Sequence, residues 1–449
     1  MMKNKYLLSF PVLFLTACSL VPDYQRPTVE IPSKWHDSEL AAQKTSVDSQ
    51  WWKVFGSQEL NKLMREALVY NNDIGAAKQR VEQARAQAKI VGAGLFPSVG
   101  LQGDFANMHD NSGDSQKIDI HPSISYEVDL WRANQAKSDA GSARLLSQVF
   151  ARDALKLVVM SNVGQAYFNL LAATERRRIA REFMDNVAKV LLIIEAQHRV
   201  GAVSALDVAQ QQTELANAKA NLDLTIQQYT LAENALSILL GHAPQQQLFD
   251  AQHFFDVTLP AIHAQQPVNL LERRPDIKQI EMQLMASNID IGVAKAAFYP
   301  KLQLNLDTIL ASPQPLGIAL NIASSLTQPL FQGGRLEGNL ENSQAVNAEL
   351  VEIYRKTILT AFKEVEDAAA IHSNSTRRLS ALTDAVAKAK FAYELSVERY
   401  RLGAIDYQTL LTTQRTLLTA ENSQTQARLD VLVSVIQIYQ AFGGGILIF

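Results

Sequence analysis

The chain has 449 residues, 47% hydrophobic and 19% charged, which excludes a disordered or polyelectrolyte protein. Lys and Arg number 42 against 45 Asp and Glu, a net charge of −3, so there is no basic surplus to condense on nucleic acid. The single cysteine, Cys18, excludes an intrachain disulfide and a cysteine-built zinc site.

Residues 1–17 read as a signal peptide. Met1-Met2-Lys3-Asn4-Lys5 is a short basic start, and Tyr6 to Phe14 is an apolar run too short to span a bilayer. Leu15-Thr16-Ala17-Cys18 then resembles a bacterial lipobox, whose cysteine is acylated and becomes the mature N-terminus. Ser19 rather than Asp follows it, which directs such a lipoprotein to the outer membrane. One acylated cysteine anchors a chain without spanning. No later apolar stretch reaches about 18 residues, so any crossing of the membrane is made by β-strands.

Proline placement exposes an internal duplication. Residues 123–243 and 330–449 hold none of the fourteen prolines. Asp73 precedes Pro97 by 24 residues and Asp276 precedes Pro300 by 24, each proline following an aromatic residue, Phe96 or Tyr299. Arg199-Val200-Gly201-Ala202-Val203 matches Arg401-Leu402-Gly403-Ala404-Ile405. Gln212, Leu215 and Ala218 match Gln414, Leu417 and Ala420 at the same offset of 202. The organisation expected is a signal peptide (1–17), a lipidated N-terminal segment (18–71), a first repeat (72–240), an inter-repeat segment (241–273), a second repeat (274–442) and a C-terminal tail (443–449).

Each repeat reads as helix, two strands, long helix, helix. The first helices, Asp73–Gly94 and Asp276–Ala297, are rich in Ala, Gln, Lys and Arg. From Ile118 to Asp129 the residues alternate: Ile118, Ile120, Ile124, Tyr126 and Val128 on one face, Asp119, His121, Ser123, Ser125, Glu127 and Asp129 on the other. Residues 301–307 and 316–322 alternate likewise, and such two-faced segments suit a transmembrane barrel. Turn-rich links are expected at 107–116 and 312–315. Long helices follow, Arg132–Arg199 and Arg335–Arg401, each about 100 Å at 1.5 Å per residue. Glycine turns at Gly201 and Gly403 reverse the chain into shorter helices, Leu206–Leu239 and Tyr407–Ala441. The two shorter helices of a repeat, stacked end to end, run beside the long one, so the helical part is expected to be a rod. Four strands are too few to close a barrel and open edges are not tolerated in lipid, so a membrane-crossing chain must oligomerise, with eight strands from two copies or twelve from three.

Val21-Pro22-Asp23-Tyr24-Gln25-Arg26-Pro27, Trp51-Trp52, Arg273-Arg274-Pro275-Asp276-Ile277, Phe298-Tyr299-Pro300, Pro329-Leu330-Phe331-Gln332-Gly333-Gly334-Arg335, Tyr400-Arg401-Leu402-Gly403 and Gln414-Arg415 complete the pattern. With the lipobox, they resemble the outer membrane efflux proteins of the TolC/OprM-like family, lipoprotein (NodT-like) branch. The resemblance implies a mainly α fold with a membrane β-barrel. Three chains would give four strands each to a twelve-stranded outer-membrane barrel, and long helical hairpins would form a periplasmic α-barrel. It also implies a homotrimer working with a periplasmic adaptor protein and an inner-membrane pump, usually of the resistance-nodulation-division (RND) type. By the same resemblance Tyr400 and Arg401 stand at gating positions and Asp207 at an acidic partner position. Gln408 replaces an apolar constriction residue, and Thr409 and Thr412 stand where relatives often carry Asp. The tips that meet the adaptor would be Arg199, Val200, Gly201 and Ala202 in the first repeat and Leu402, Gly403 and Ala404 in the second. The competing reading of Arg401 and Asp207 is simple helix-end charge.

Enzyme chemistry is not in view. There is no G-x-x-x-x-G-K-[ST] loop, no H-E-x-x-H and no i, i+4 pair among the eight histidines. His253 and His263 read as surface residues, Gly443-Gly444-Gly445 as a flexible tail, and Glu195, Glu364 and Glu366 as a solvated or lumen-lining face. No cofactor or metal is expected. Two functions remain: an exit duct for an inner-membrane pump, of RND or protein-secreting ABC type, and a non-conducting structural lipoprotein. Cys18→Ala is expected to abolish metabolic labelling with palmitate; normal labelling of that variant would refute the lipobox.

Overall fold

The computed structural model describes residues 19–31, 35, 50–110, 113–244, 252–260, 270–312 and 317–444; the side chains of 108–119 and 308–320 stand outside that description. The signal peptide, Cys18, His263 and residues 445–449 also lie outside it. In chain order the elements are α1 (Gln58–Tyr70), α2 (Asn72–Gly92), β1 (Ser98–Asp110), β2 (Gly113–Val128), α3 (Ala133–Arg199), α4 (Ala205–Leu239), α5 (Leu270–Arg273), α6 (Pro275–Ala296), β3 (Lys301–Ser312), β4 (Gly317–Thr327), α7 (Arg335–Arg401) and α8 (Tyr407–Ala441). The long helices α3 and α7 are each 67 residues, and the returning helices α4 and α8 are each 35. Two compact units emerge: residues 1–28, 80–149 and 279–355 form one, and 29–79, 150–278 and 356–449 the other. Both repeats contribute to both units.

The first unit holds one antiparallel sheet of order β1-β2-β3-β4. Its register sorts the side chains. Val99 stands opposite Ile124, Ile124 opposite Leu306 and Leu306 opposite Ile322, an apolar row across all four strands. The adjacent row on the other face is Gly100, Ser123, Asp307 and Asn321. Directly paired residues share a face and neighbours along a strand alternate, so one face is apolar and the other polar. Val99, Leu101 and Phe105 are 76%, 74% and 62% exposed, so this chain leaves the apolar face bare. Among the described residues, β1 and β4 are edges without a partner strand.

The expected link at 107–116 is largely strand: the ladder continues to Asp110 opposite Gly113. In the second hairpin β3 runs to Ser312 and β4 starts at Gly317, and residues 313–315 of the expected link lie outside the described residues. Asn, Asp, Ser and Gly signalled a long turn, but pairing of the backbone overrides their low strand propensity. Where the strands meet the helices, Trp131 donates its indole N–H to the Pro300 carbonyl at 2.8 Å and packs 4.7 Å from the Tyr299 ring. Asp129 accepts from the amides of Asn134 and Gln135, satisfying the free N–H groups that open α3.

The second unit has a large hydrophobic core around Trp51 and Tyr167. Trp51, Phe55, Leu60, Leu63 and Met64 pack on Tyr167, Phe168 and Leu171 of α3 and on Leu432, Val435 and Ile436 of α8, all nearly solvent-free. Ser57 caps α1 through the Leu60 amide and meets the Tyr167 hydroxyl at 3.1 Å. Arg274 of the Arg-Arg-Pro-Asp-Ile motif is 8% exposed. It donates to Asp276, to Glu364 at 2.6 Å and to the Ala441 carbonyl at 3.1 Å, so it ties the start of α6 to the last turn of α8. Glu364 is therefore an ion-pair partner as well as a half-exposed surface residue. Gly443 and Gly444 are a buried cap of α8 and not a flexible tail. Their φ values are +83° and +63°, and their amides return to the Gln440 and Tyr439 carbonyls. His253 is exposed as expected.

Replacing Ile124 by Arg is expected to cost about 2–4 kcal/mol near a bilayer midplane, and Ser123→Arg far less, with a changed ion selectivity instead. Urea unfolding from vesicles and reversal potentials read the two effects, and equal damage at both positions would mean that the faces are misassigned.

Candidate gate at the helix tips

Each long helix ends in the same way. Gly201 adopts φ +77° and Gly403 φ +70°, a conformation open to glycine. The Ala202 amide reaches the Gln197 carbonyl at 2.9 Å and the Gly201 amide reaches His198 at 2.9 Å. The Ala404 and Gly403 amides reach Arg399 and Tyr400 at 2.8 and 2.9 Å. These are Schellman closures, and they satisfy carbonyls that the end of a helix leaves free. Arg199 and Arg401 close α3 and α7, and Val200 and Leu402 stand 80% and 78% exposed beside the glycines. All seven expected tip residues thus lie in or next to the two turns.

The returning helices begin with a reciprocal pair of caps. In α4, Ser204 is the N-cap and Asp207 the third residue. Ser204 accepts from the Asp207 amide, and the Asp207 carboxylate accepts from the Ser204 amide and hydroxyl at 3.1 and 2.9 Å. In α8 the equivalent positions are Asp406 and Thr409. Here the cap itself carries the carboxylate and accepts from the Thr409 amide at 2.7 Å. Hydrogen bonds from Thr409 hold the Asp406 carboxyl below its ordinary range.

Within one chain, Asp207 and Arg401 do not meet. Asp207 is held in its capping box, and Arg401 lies 3.9 Å from Glu398 one turn back on its own helix. Gln408, Thr409 and Thr412 are exposed, and the Thr412 hydroxyl donates to the Gln408 carbonyl. Tyr400 is different. It is 4% exposed in a cluster with Val190, Ile194, Tyr407, Leu410 and Leu411, its ring 6.4 Å from that of Tyr407. Burial raises its hydroxyl pKa, and the Asp207 charge acts in the same direction.

Two polar contacts join α4 of the first repeat to α8 of the second near the tips. Tyr407 donates to the Gln211 amide oxygen at 2.8 Å, and the Gln211 nitrogen donates to the Val187 carbonyl at 2.8 Å. Gln211 is fully buried, and its amide is satisfied on both sides. Burial, with Glu214 nearby, pushes the Tyr407 hydroxyl up to about 12. One turn beyond Gln211, Glu214 pairs with Arg415 through both of its oxygens; its side chain is 7% exposed against 56% for Arg415. Sequence reasoning gives none of the four a role at the tips, although Arg415 stands in the Gln414-Arg415 motif. Gln211 sits in a run of three glutamines, Gln210 to Gln212, and nothing in the run marks which one faces inward.

Comparison with known proteins bears on the whole chain. The model of the outer membrane efflux protein family matches residues 63–242 and 267–444, one match in each repeat. The pyoverdine export outer membrane protein OpmQ of Pseudomonas aeruginosa is 36% identical over 99% of this chain and 97% of its own length. The cation efflux system protein CusC of Escherichia coli K12 is 30% identical over 96% and 97%. The solved structure of CusC superposes with a TM-score of 0.84 at 27% identity, covering 95% of this chain and all of that one. The open state of the Neisseria gonorrhoeae MtrE outer membrane channel gives 0.85 at 25% identity, covering 95% and 98%. Two matched repeats, a two-faced sheet and near-complete coverage lead to one conclusion: the chain belongs to the outer membrane efflux protein family.

Proposed function

We propose that the chain is the exit duct of a tripartite efflux system, a passive conduit for small molecules across the outer membrane. The observation that carries this is the sheet: an apolar row on one face, a polar row on the other, and an unpaired edge at each side. In lipid every backbone group must be paired, so four strands function only as part of a closed barrel. Three copies close twelve strands with the polar face toward water. A non-conducting spacer has no use for such strands. The helices continue the duct in the periplasm. The exposed Val200 and Leu402 tips receive a periplasmic adaptor, and an RND-type pump in the inner membrane selects the substrate. The relatives are named for pyoverdine, cations and toluene, which fits a duct that leaves selection to the pump. Cys18 carries the lipid that holds the mature chain to the outer membrane.

The gate lies at the tips. Asp207 and Arg401 contribute mainly as local helix-end charges, and Gln408, Thr409 and Thr412 present a neutral surface toward the pore. Closure rests on the links between α4 and α8, the buried Gln211–Tyr407 contact and the pair of buried Glu214 with half-exposed Arg415, with Tyr400 packed in the same cluster as Tyr407. An exposed ion pair is worth about 0–1 kcal/mol, whereas leaving a buried group unpaired costs about 1–3 kcal/mol.

Two outcomes follow. Purified trimers in planar bilayers are expected to conduct, and Tyr407→Phe with Glu214→Gln to raise single-channel conductance with trimer yield unchanged; well-folded trimers that never conduct would sink the duct. In thermal melts at pH 7, Arg415→Ala is expected to cost more than Glu214→Ala, because it strands the buried partner by about 1–3 kcal/mol. The reverse order of stabilities would show that the pair is solvated.

A further inference from the structure

The motif Val21–Pro27 takes no part in the sheet or the tips, yet the structure gives it a fitted seat on α6 and α7. A methyl group added at Gly292, about one turn before the end of α6, would fall 2.5 Å from Val21 Cγ2, 2.6 Å from its Cα and 2.9 Å from its amide nitrogen. Backbone lies on backbone there, and glycine alone leaves room. About one turn toward the N-terminus of α6, Asn288 donates its side-chain amide to the Pro22 carbonyl at 2.7 Å. Further along, Arg26 donates to Glu281 at 3.0 Å and to the Tyr354 hydroxyl at 2.9 Å. Tyr354 is 1% exposed, and burial pushes the Tyr24 hydroxyl between them up to about 12. From Gly292 to Glu281 a helix rises about 16 Å, and five extended residues from Val21 to Arg26 span at most about 18 Å. The segment is therefore a taut strap laid antiparallel to α6.

Its upper end is the informative one. Cys18 precedes Val21 by three residues, which is at most about 11 Å of extended chain. The same helix leads, nine residues after Gly292, into Lys301 and β3. We infer that the Val21–Arg26 strap, seated on Gly292 and latched by Arg26 to Glu281 and Tyr354, sets the height of the membrane anchor relative to the strands, so that the acyl chains enter the bilayer where the barrel does. This rests on the lipoprotein-channel reading above. The strap gives the Val-Pro-Asp-Tyr-Gln-Arg-Pro motif its function, and the acylated cysteine becomes a placed anchor.

The full-length protein tests this with three readouts: palmitate labelling, hydrogen exchange over residues 20–27, and the fraction of heat-resistant trimer in outer membranes. Gly292→Val is expected to leave labelling intact, to speed exchange of the strap about tenfold because the added carbons overlap the Val21 backbone, and to lower the inserted fraction several-fold. Gly338→Val, in α7 where a Cβ meets open space, is expected to change none of the three beyond the small helix effect. An eight-residue Gly/Ser spacer between Ser19 and Leu20 separates a ruler from a brace. It leaves the strap seated but frees the anchor, and insertion is expected to fall as it does in Gly292→Val. Wild-type insertion by the spacer variant, or a strap still protected in Gly292→Val, would overturn the inference. Absence of palmitate from the wild-type protein would instead remove the lipoprotein reading beneath it, and failure of the wild-type protein to insert would remove the channel.

Discussion

Everything in this chain follows from one requirement, that no backbone N–H or C=O be left unpaired in hydrocarbon. The sheet meets it along three ladders and fails at two edges, β1 and β4. Those edges cannot be blunted by charge or covered by a loop without losing the barrel, so they are completed by other copies of the chain. Oligomerisation here is not an added property of a folded subunit. It is the last hydrogen-bonding step of the fold, and the bare apolar face around Val99, Leu101 and Phe105 finds its solvent only once that step is complete.

The same requirement explains why the chain is duplicated. A closed barrel needs matched strands, and each hairpin needs a helix pair below it to continue the duct. Repetition supplies both with one design. It also supplies closure of the helix ends: the glycines at 201 and 403, and those at 241 and 443, recur at an offset of 202 with positive φ. What differs between the repeats is where function has entered. The second repeat buries Tyr400, Tyr407 and Gln414 near its tip, while the first buries Gln211 and Glu214 facing them.

How much of this was legible in the sequence depended on the range of the interaction. Alternation from Ile118 to Val128 is a period-two signal written residue by residue, and the register bears it out: Ile124 and Ser123 fall in opposite rows. The helices were legible from long proline-free runs and their turns from single glycines. The hairpin ends were not, because Asn107, Asp110 and Asp114 look like turn residues and only pairing with another strand overrides them. The links Gln211–Tyr407 and Glu214–Arg415 were hidden for a different reason. Their partners are about 200 residues apart, and α4 carries no broad apolar stripe from which the inward face could be read. The Gly292 seat was hidden in the same way, since a helical glycine shows its purpose only when the strand lying on it is seen.

The tips show how local needs limit what charge can do at a gate. Ser204 with Asp207, and Asp406 with Thr409, exchange a hydroxyl and a carboxylate between the same two positions of equivalent turns. Either order satisfies the free amides at the start of a helix, so selection on the cap alone does not fix where the carboxylate sits. A carboxylate already accepting two or more local hydrogen bonds is a weaker partner for a distant arginine, because each new contact must displace one that is short and well aligned. Asp207 is in that position, and so is Asp406. A gate built on such groups would open and close against its own helix caps. The contacts between the returning helices use other groups: Tyr407, next to the Asp406 cap, reaches the buried Gln211, and the half-exposed Arg415 reaches the buried Glu214, which separates the two tasks. The caps then hold the turns in shape while these links set how firmly the two returning helices stay together.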